Sequence, residues 1–330
     1  MISLRYVEGN GDIVDITHVT GGYTRSDNID SLGMEFTFSL TSNPLDDNYK
    51  NYAIPIGTKV IFSNNGVNLF TGIVVKYSRN GLTSYNYSCF DYGFYLNKSE
   101  AMIQFNNVSV STALERLCKE NEIPVGSITS ISTNVKKLYN GDTLSDIIKD
   151  LLKKATDELG TKYRLEMREN KLFIEPYEKL VVEARYKPAR NVADFDVTKM
   201  VGSFSSDYSM EDMKTKVMVV SSKEKNSQVF ANVQDSKNIE RYGLLTKVEK
   251  IEDKKKSQAV NIAQKKLKEL NKVKESFKVT VFGDDTVRAG RILVFDQEEI
   301  NLKGNYLVKN CTHTYNGRMH LMELDLKLEE

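Results

Sequence analysis

Residues 34–40 (MEFTFSL) alternate apolar and polar side chains without a break. A period of two buries one face of a β-strand and leaves the other in water, so this segment favours a half-buried strand over a helix. Similar short runs at 59–62, 69–75 and 83–90 are separated by Asn-Gly turns. Short strands with turn residues between them are typical of sandwiches and barrels. We therefore predict a β-barrel-like domain over residues 1–104.

The periodicity changes over residues 105–187, where apolar side chains recur at helical spacing in two segments. Ser109 and Thr143 are placed to cap the two helices, and Gly160 suits the end of the second. A hairpin pattern at 163–175 follows the second helix. We predict a small mixed α/β module. The two helical segments are 110–118 and 144–155.

Strand patterns return over residues 188–330, together with a lysine-rich helix at about 254–275. Acidic residues interleave with its lysines, and no aromatic side chain is present to stack on bases, so a solvated face is favoured over a nucleic-acid site. We predict a second β-barrel-like domain. The expected fold class is mainly β with α+β: two barrel-like domains with the mixed module between them.

Composition and charge narrow the possible partners and the cellular compartment. The 46 basic and 45 acidic residues give a net charge of +1, which does not favour DNA or an anionic membrane as the main partner. No apolar stretch approaches the length of a membrane span, and the first residues lack a signal-peptide pattern. Three widely spaced cysteines favour a reducing compartment. We expect synthesis in a bacterial cytoplasm, without membrane insertion.

Few residues could support catalysis or bind a metal. His313 and His320 flank a turn and would face each other across a hairpin, while Cys311 and His313 would share one face of a strand. A metal site or a Cys–His pair is the sharper hypothesis, but no second Cys or His cluster supports it. The neighbouring acids 46–47, 284–285 and 298–299 are typical of solvated turns. We predict no catalytic, cofactor-binding or metal-binding residue.

Residues 139–147 (YNGDTLSDI) resemble the opening of a LysM module, a family that binds peptidoglycan glycans. The same string also fits a turn followed by a capped amphipathic helix. A glycan-binding module, or a component of a cell-wall hydrolase, therefore stays open as an alternative function.

The order of four segments carries a second resemblance, which extends over essentially the whole chain. The segments are 240–245 (ERYGLL), 287–294 (VRAGRILV), 304–308 (GNYLV) and 313–324 (HTYNGRMHLMEL). They resemble the baseplate hub proteins of contractile-tailed phages, the group that includes late control protein D and its homologues in PBSX-type prophages. The structural positions of this signature are Tyr242, Gly243, Gly290, Gly304, His313, Gly317 and His320.

The resemblance implies a structural virion protein without enzymatic activity. The hub proteins that the chain resembles form homotrimers with two barrel-like domains per subunit, which adapt the sixfold tail tube to the threefold central spike. The expected partners are a tail tube protein or tube initiator above, the spike below and baseplate wedge proteins, with DNA only passing through the channel. The particle would be a phage, a prophage or an R-type bacteriocin, all of which are contractile injection systems.

Overall fold

A computed structural model describes residues 1–187, 191–222, 228–317 and 319–329, apart from the side chains of residues 254 and 255. The chain forms two compact units. Unit 1 contains Met1–Phe204 and Lys278–Glu330, and unit 2 contains Ser205–Phe277. The structure thus groups the first and last segments of the chain in one unit.

Strands outnumber helices among the described residues, which confirms the predicted mainly β fold class. The strands are β1 (Ile2–Val7), β2 (Ile13–Asp15), β3 (Thr20–Asn28), β4 (Glu35–Thr41), β5 (Lys59–Asn64), β6 (Val67–Asn80), β7 (Ser84–Phe90), β8 (Glu100–Ser109), β9 (Val125–Ile128), β10 (Asn134–Thr143), β11 (Tyr163–Arg168), β12 (Lys171–Pro176), β13 (Arg185–Tyr186), β14 (Phe195–Asp196), β15 (Val201–Ser209), β16 (Lys216–Ser221), β17 (Val229–Gln234), β18 (Thr246–Ile251), β19 (Lys274–Phe282), β20 (Ile292–Gln297), β21 (Leu302–Asn316) and β22 (Met319–Leu328). The α-helices are α1 (Gly93–Lys98), α2 (Val110–Glu120), α3 (Leu144–Leu159), α4 (Ser236–Tyr242) and α5 (Ala259–Leu270). Within the described residues, no helix is both long and apolar enough to span a membrane.

The largest sheet has the strand order β15-β19-β22-β21-β3-β4-β7-β6-β5-β1-β2, and β20 pairs with β21. Strand β3 pairs antiparallel with both β4 and β21, so the C-terminal hairpin β21–β22 extends the sheet of the first ninety residues. The core of this region follows from the alternation of β4: Phe36 is buried, and its ring centroid lies 4.6 Å from that of Phe62. Tyr315 of β21 packs against Phe62 at 5.1 Å. The domain boundaries predicted at residues 104 and 187 stay a prediction.

The mixed module contains the ribbon β8–β10, the helices α2 and α3, and a sheet in which β12 pairs with β11 and β9. Both predicted helix caps are confirmed: the hydroxyls of Ser109 and Thr143 each accept a backbone N–H, and Gly160 ends α3 with a left-handed φ of +78°. The turn predicted near residue 140 is wrong. Strand β10 continues to Thr143, and a bulge around Gly141 absorbs the extra residue.

Unit 2 contains a small sheet in which β16 lies between β17 and β18. Ala259, Ala263 and Leu267 of α5 belong to the same buried core as Val217 and Val219 of β16. The lysine-rich helix is shorter than the predicted 254–275, because a 3-10 turn occupies Asp253–Gln258 and α5 ends at Leu270. Asn271 then bonds to Asp235 and Asn238, and β19 begins at Lys274.

Candidate functional site

The signature residues do not form one cluster. In unit 2, Tyr242 ends α4, and Gly243 follows with a φ of +90° and accepts the hydroxyl of Thr215 through its carbonyl. In unit 1, Gly304 lies in β21 and Gly317 in the turn between β21 and β22, both with positive φ. At Gly243, Gly304 and Gly317 the positive φ favours glycine over other residues. The remaining three signature residues lie near one buried polar region of unit 1.

Gly290 shows why a side chain is excluded at one of these three positions. Its φ is +84°, and a Cβ there would lie 2.5 Å from Cδ of Arg164. The Gly290 N–H donates to the carbonyl of Val308 at 2.8 Å, which ties this loop to β21. Arg164 is only 4% exposed, so it has little room to move away. Gly290 therefore has a packing role as well as a conformational one.

The two signature histidines face each other across the hairpin β21–β22. Nδ1 of His313 lies 2.9 Å from Nε2 of His320. The second ring nitrogen of His313, Nε2, lies 2.9 Å from the carbonyl oxygen of Val287 and 3.1 Å from Sγ of Cys311. The ring of Tyr315 stacks on that of His320 with a centroid separation of 4.1 Å. The turn at Gly317 thus brings the two rings into direct contact.

Asp285 completes this region from the loop between β19 and β20. Its Oδ2 accepts the amide of Asn64 at 2.9 Å, and its Oδ1 accepts the hydroxyl of Tyr315 at 2.5 Å. The same Oδ1 lies 3.8 Å from Nε2 of His320 and 3.9 Å from the guanidinium of Arg25. The prediction that residues 284–285 form a solvated turn is wrong for Asp285, because its carboxylate is only 25% exposed and bonds to three other segments. The Asp285 cluster is defined as Arg25, Asp285, His313, Tyr315 and His320.

Burial shifts the pKa values of both histidines of the Asp285 cluster. It lowers the pKa of His313 well below its usual value, and the charge of Arg25 acts in the same direction. Burial also lowers the pKa of His320 to about 4, against the opposing effect of Asp285. The pKa of the Cys311 thiol is raised by burial. At neutral pH the two imidazoles are uncharged and the thiol keeps its proton, so Cys311 and His313 are not an activated nucleophile pair.

A second buried polar group, the arginine cluster, lies beside it in unit 1 and is defined as Asp27, Glu166, Arg288 and Arg291. Arg291 bonds to both carboxylate oxygens of Glu166, at 2.8 and 3.0 Å. Nε of Arg288 donates to Asp27 at 3.1 Å, and one of its terminal nitrogens donates to the carbonyl of Met167 at the same distance. The other oxygen of Asp27 accepts the N–H of Ala289 at 2.9 Å. The cluster connects β3, β11 and the loop before β20 through charge-assisted bonds.

The LysM-like segment has a structural explanation. Tyr139 is buried, and its hydroxyl donates to Asp150 of α3 at 2.6 Å. Thr143 caps α3, and Leu144 and Ile147 belong to the core of the module. The segment therefore contributes mainly to packing. Sequence reasoning missed Arg25 and Asp27, which occupy buried positions of β3.

The fold is that of phage tail proteins. The structure of the prophage MuSo2 43 kDa tail protein from Shewanella oneidensis superimposes with a TM-score of 0.73 at 15% identity, covering 99% of this chain and 98% of that one. A component of the Escherichia coli type VI secretion system, described as structurally similar to the T4 tail proteins gp27 and gp5, superimposes with a TM-score of 0.52 at 11% identity, covering 94% of this chain and 74% of that one.

Sequence comparison identifies the family. Two Bacillus subtilis proteins, the uncharacterized protein YqbQ and the phage-like element PBSX protein XkdQ, are each 27% identical over 83% of this chain and 82% of their own length. The family model described as YQBQ-like matches residues 24–327. The chain belongs to the YQBQ-like family and is a protein of the phage baseplate type.

Proposed function

We propose that this chain is the structural hub subunit of a contractile tail, a trimeric adapter that joins the sixfold tail tube to the threefold central spike. The observation that carries the proposal is family membership over residues 24–327, together with 27% identity to a PBSX protein. The signature segments quoted above, which resemble those of baseplate hubs, support it. The fold shared with a type VI secretion component that resembles gp27 and gp5 agrees with this role.

An adapter needs large contact surfaces, because stable protein–protein interfaces bury on the order of 1,600 Å². Unit 1 exposes large apolar side chains outside its cores: Leu45 is 81% exposed, Ile56 63% and Met102 75%. Contact with a tail tube protein or tube initiator, the spike and wedge proteins would cover surfaces of this kind. The proposal applies equally to a phage, a defective prophage and an R-type bacteriocin.

The proposal assigns the chain no reaction. Glu166, His313 and Tyr315, whose pKa values are strongly perturbed, bond to Arg291, the Val287 carbonyl and Asp285 and so connect segments of the same fold. Perturbed pKa values arise in structural ion-pair networks as well as in active sites. A scaffold with rigid internal connections is what an adapter between two symmetries requires.

Mass photometry of the purified chain, alone and with the spike protein encoded beside it, tests the proposal. We expect a species of about three times 37.5 kDa, either alone or on adding the spike. A spike protein from an unrelated particle is the control and should not promote the trimer. A chain that stays monomeric with its own spike and sediments with purified cell walls would refute the hub role and favour the glycan-binding alternative.

A further inference from the structure

Three side chains of the Asp285 cluster bring possible ligand atoms close together. Asp285, His313 and His320 each offer one such atom, and these three atoms lie within 4.8 Å of one another. Nδ1 of His313 and Nε2 of His320 are 2.9 Å apart, and Nε2 of His320 is 3.8 Å from Oδ1 of Asp285. Tetrahedral zinc with bonds of about 2.0–2.1 Å separates neighbouring ligand atoms by about 3.3 Å. These two separations lie on either side of this value, so ion binding requires the two nitrogens to move apart and the carboxylate oxygen to approach them.

Each of the three side chains is also oriented by contacts with residues outside the ligand set. The carbonyl of Val287 can only accept a hydrogen bond, so Nε2 of His313 carries the proton and the lone pair of Nδ1 points towards His320. The amide of Asn64 binds Oδ2 of Asp285, while Oδ1 accepts the hydroxyl of Tyr315 and lies 3.8 Å from Nε2 of His320. Such outer contacts are typical of metal sites, where they fix the tautomer and orientation of the ligands.

The ring of His320 is held on both faces. Tyr315 stacks on one side, and on the other the backbone of Gly283 approaches so closely that a Cβ there would lie 2.2 Å from the ring. The side chains of His320 and Asp285 are 13% and 25% exposed, so this edge of the cluster borders solvent.

We propose that Asp285, His313 and His320 bind one zinc-class divalent ion, with the fourth position left to water. Two imidazoles and one carboxylate suit zinc, whereas calcium and magnesium prefer oxygen ligands alone. The ion replaces the hydrogen bond between the two rings, and the single proton of His320 moves from Nε2 to Nδ1 of the same ring. Arg25 lies 3.9 Å from the same carboxylate oxygen, and its charge opposes the ion and weakens the affinity. The role is structural: the ion would tie the hairpin β21–β22 to the loop that carries Asp285.

The test uses the full chain without a histidine tag, treated with a chelator and then titrated with Zn²⁺. Calorimetry and native mass spectrometry should show one ion per chain, and the thermal midpoint should rise with Zn²⁺ but not with Ca²⁺. His320→Gln removes a ligand and should weaken binding by more than about 100-fold, while Asn64→Ala should weaken it by about 10- to 100-fold. His18→Gln is the matched control, because His18 is exposed and lies outside the cluster.

Cobalt substitution identifies the ligands independently of stability. The proposal predicts an intense tetrahedral d–d spectrum without a thiolate charge-transfer band. A thiolate band would replace the proposed ligand set by one that contains Cys311. Asp285→Asn provides a second ligand variant if His320→Gln unfolds. Absence of stoichiometric Zn²⁺ binding by the native chain, or equal binding by the His18 and His320 variants, would overturn the proposal. These outcomes do not depend on the hub role, which concerns oligomeric state.

Discussion

Replacing Glu166 by glutamine removes the negative charge at the centre of the arginine cluster. Glu166 is 5% exposed, and Arg291 binds both of its carboxylate oxygens. Arg168 also bonds to this carboxylate, and the charge of Arg288 acts on it. Glutamine keeps the shape but leaves the buried guanidinium of Arg291 without its counter-charge. Breaking a buried ion pair from one side costs about 3–5 kcal/mol, a large part of a typical folding free energy of about 5–15 kcal/mol.

Urea unfolding followed by far-ultraviolet circular dichroism measures this loss; the chain has 17 tyrosines and no tryptophan, so tyrosine fluorescence gives a second signal. With a slope of about 3 kcal/mol per molar urea, the midpoint should fall by about 1–2 M. Glu175→Gln is the matched control, because Glu175 is 28% exposed and pairs with Arg168 at the edge of the same strand pair. An exposed pair of this kind contributes at most about 1 kcal/mol.

The pH dependence gives the same test a second readout. Burial alone would raise the pKa of Glu166, but the charges of Arg288 and Arg291 hold it well below its ordinary value of 4.5. A carboxyl with a lowered pKa in the folded state stabilises the fold above about pH 4.5, and this contribution is lost as the pH falls further. The native chain should therefore lose stability below that pH more steeply than Glu166→Gln. Equal unfolding midpoints for the Glu166 and Glu175 variants would refute the reasoning.

Three further predictions concern unit 1, and each is measured as a change in the free energy of unfolding. Gly290→Ala should destabilise the chain by more than Gly317→Ala. Both positions have a positive φ, which alone costs an alanine about 1–2 kcal/mol. Only the Cβ at position 290 would also meet a neighbour, Arg164, because nothing lies within 4 Å of a Cβ at position 317. Thr143→Ala should cost about 1 kcal/mol by removing the cap of α3, and Thr143→Ser should restore it. Burial raises the pKa of Asp91 from 3.8 to about 6, so the folded chain binds this proton more tightly than the unfolded chain. Relative to Asp91→Asn, the native chain should gain about 2 kcal/mol between pH 7 and pH 4. A flat difference over that range, or equal costs for the two glycine variants, would contradict the respective prediction.

Sequence periodicity predicted the elements whose buried side chains are apolar. Strand β4 shows this most clearly, since its alternation of apolar and polar residues matches its alternation of buried and less buried positions. Helix α3 was predicted with both of its ends, because Thr143 and Gly160 have local reasons to occupy their positions. In both elements the information lies within the segment itself.

Strand β3 was missed for a physical reason. Its buried positions also alternate, but they are occupied by Tyr23, Arg25 and Asp27. A search for hydrophobic periodicity does not count arginine and aspartate as core residues, since they are rarely buried without partners. Their partners, Asp285 and Arg288, come from a distant part of the chain. The alternation of Tyr23, Arg25 and Asp27 was the available signal for this strand. That these positions are buried becomes evident only from their tertiary contacts.

The loop between β19 and β20 shows what sequence patterns leave out. Residues 283–291 belong to no assigned strand or helix, and their composition predicts a turn. In the structure, however, Asp285 binds Asn64 of β5 and Tyr315 of β21, whereas Arg288 binds Asp27 of β3. The conformation of this loop therefore depends on bonds to three strands, and the local sequence pattern of the loop does not reveal them. Buried ion pairs add little net stability compared with apolar packing, but they are satisfied in few arrangements. The polar clusters thus favour one arrangement of the strands that they connect, a property suited to the proposed adapter subunit.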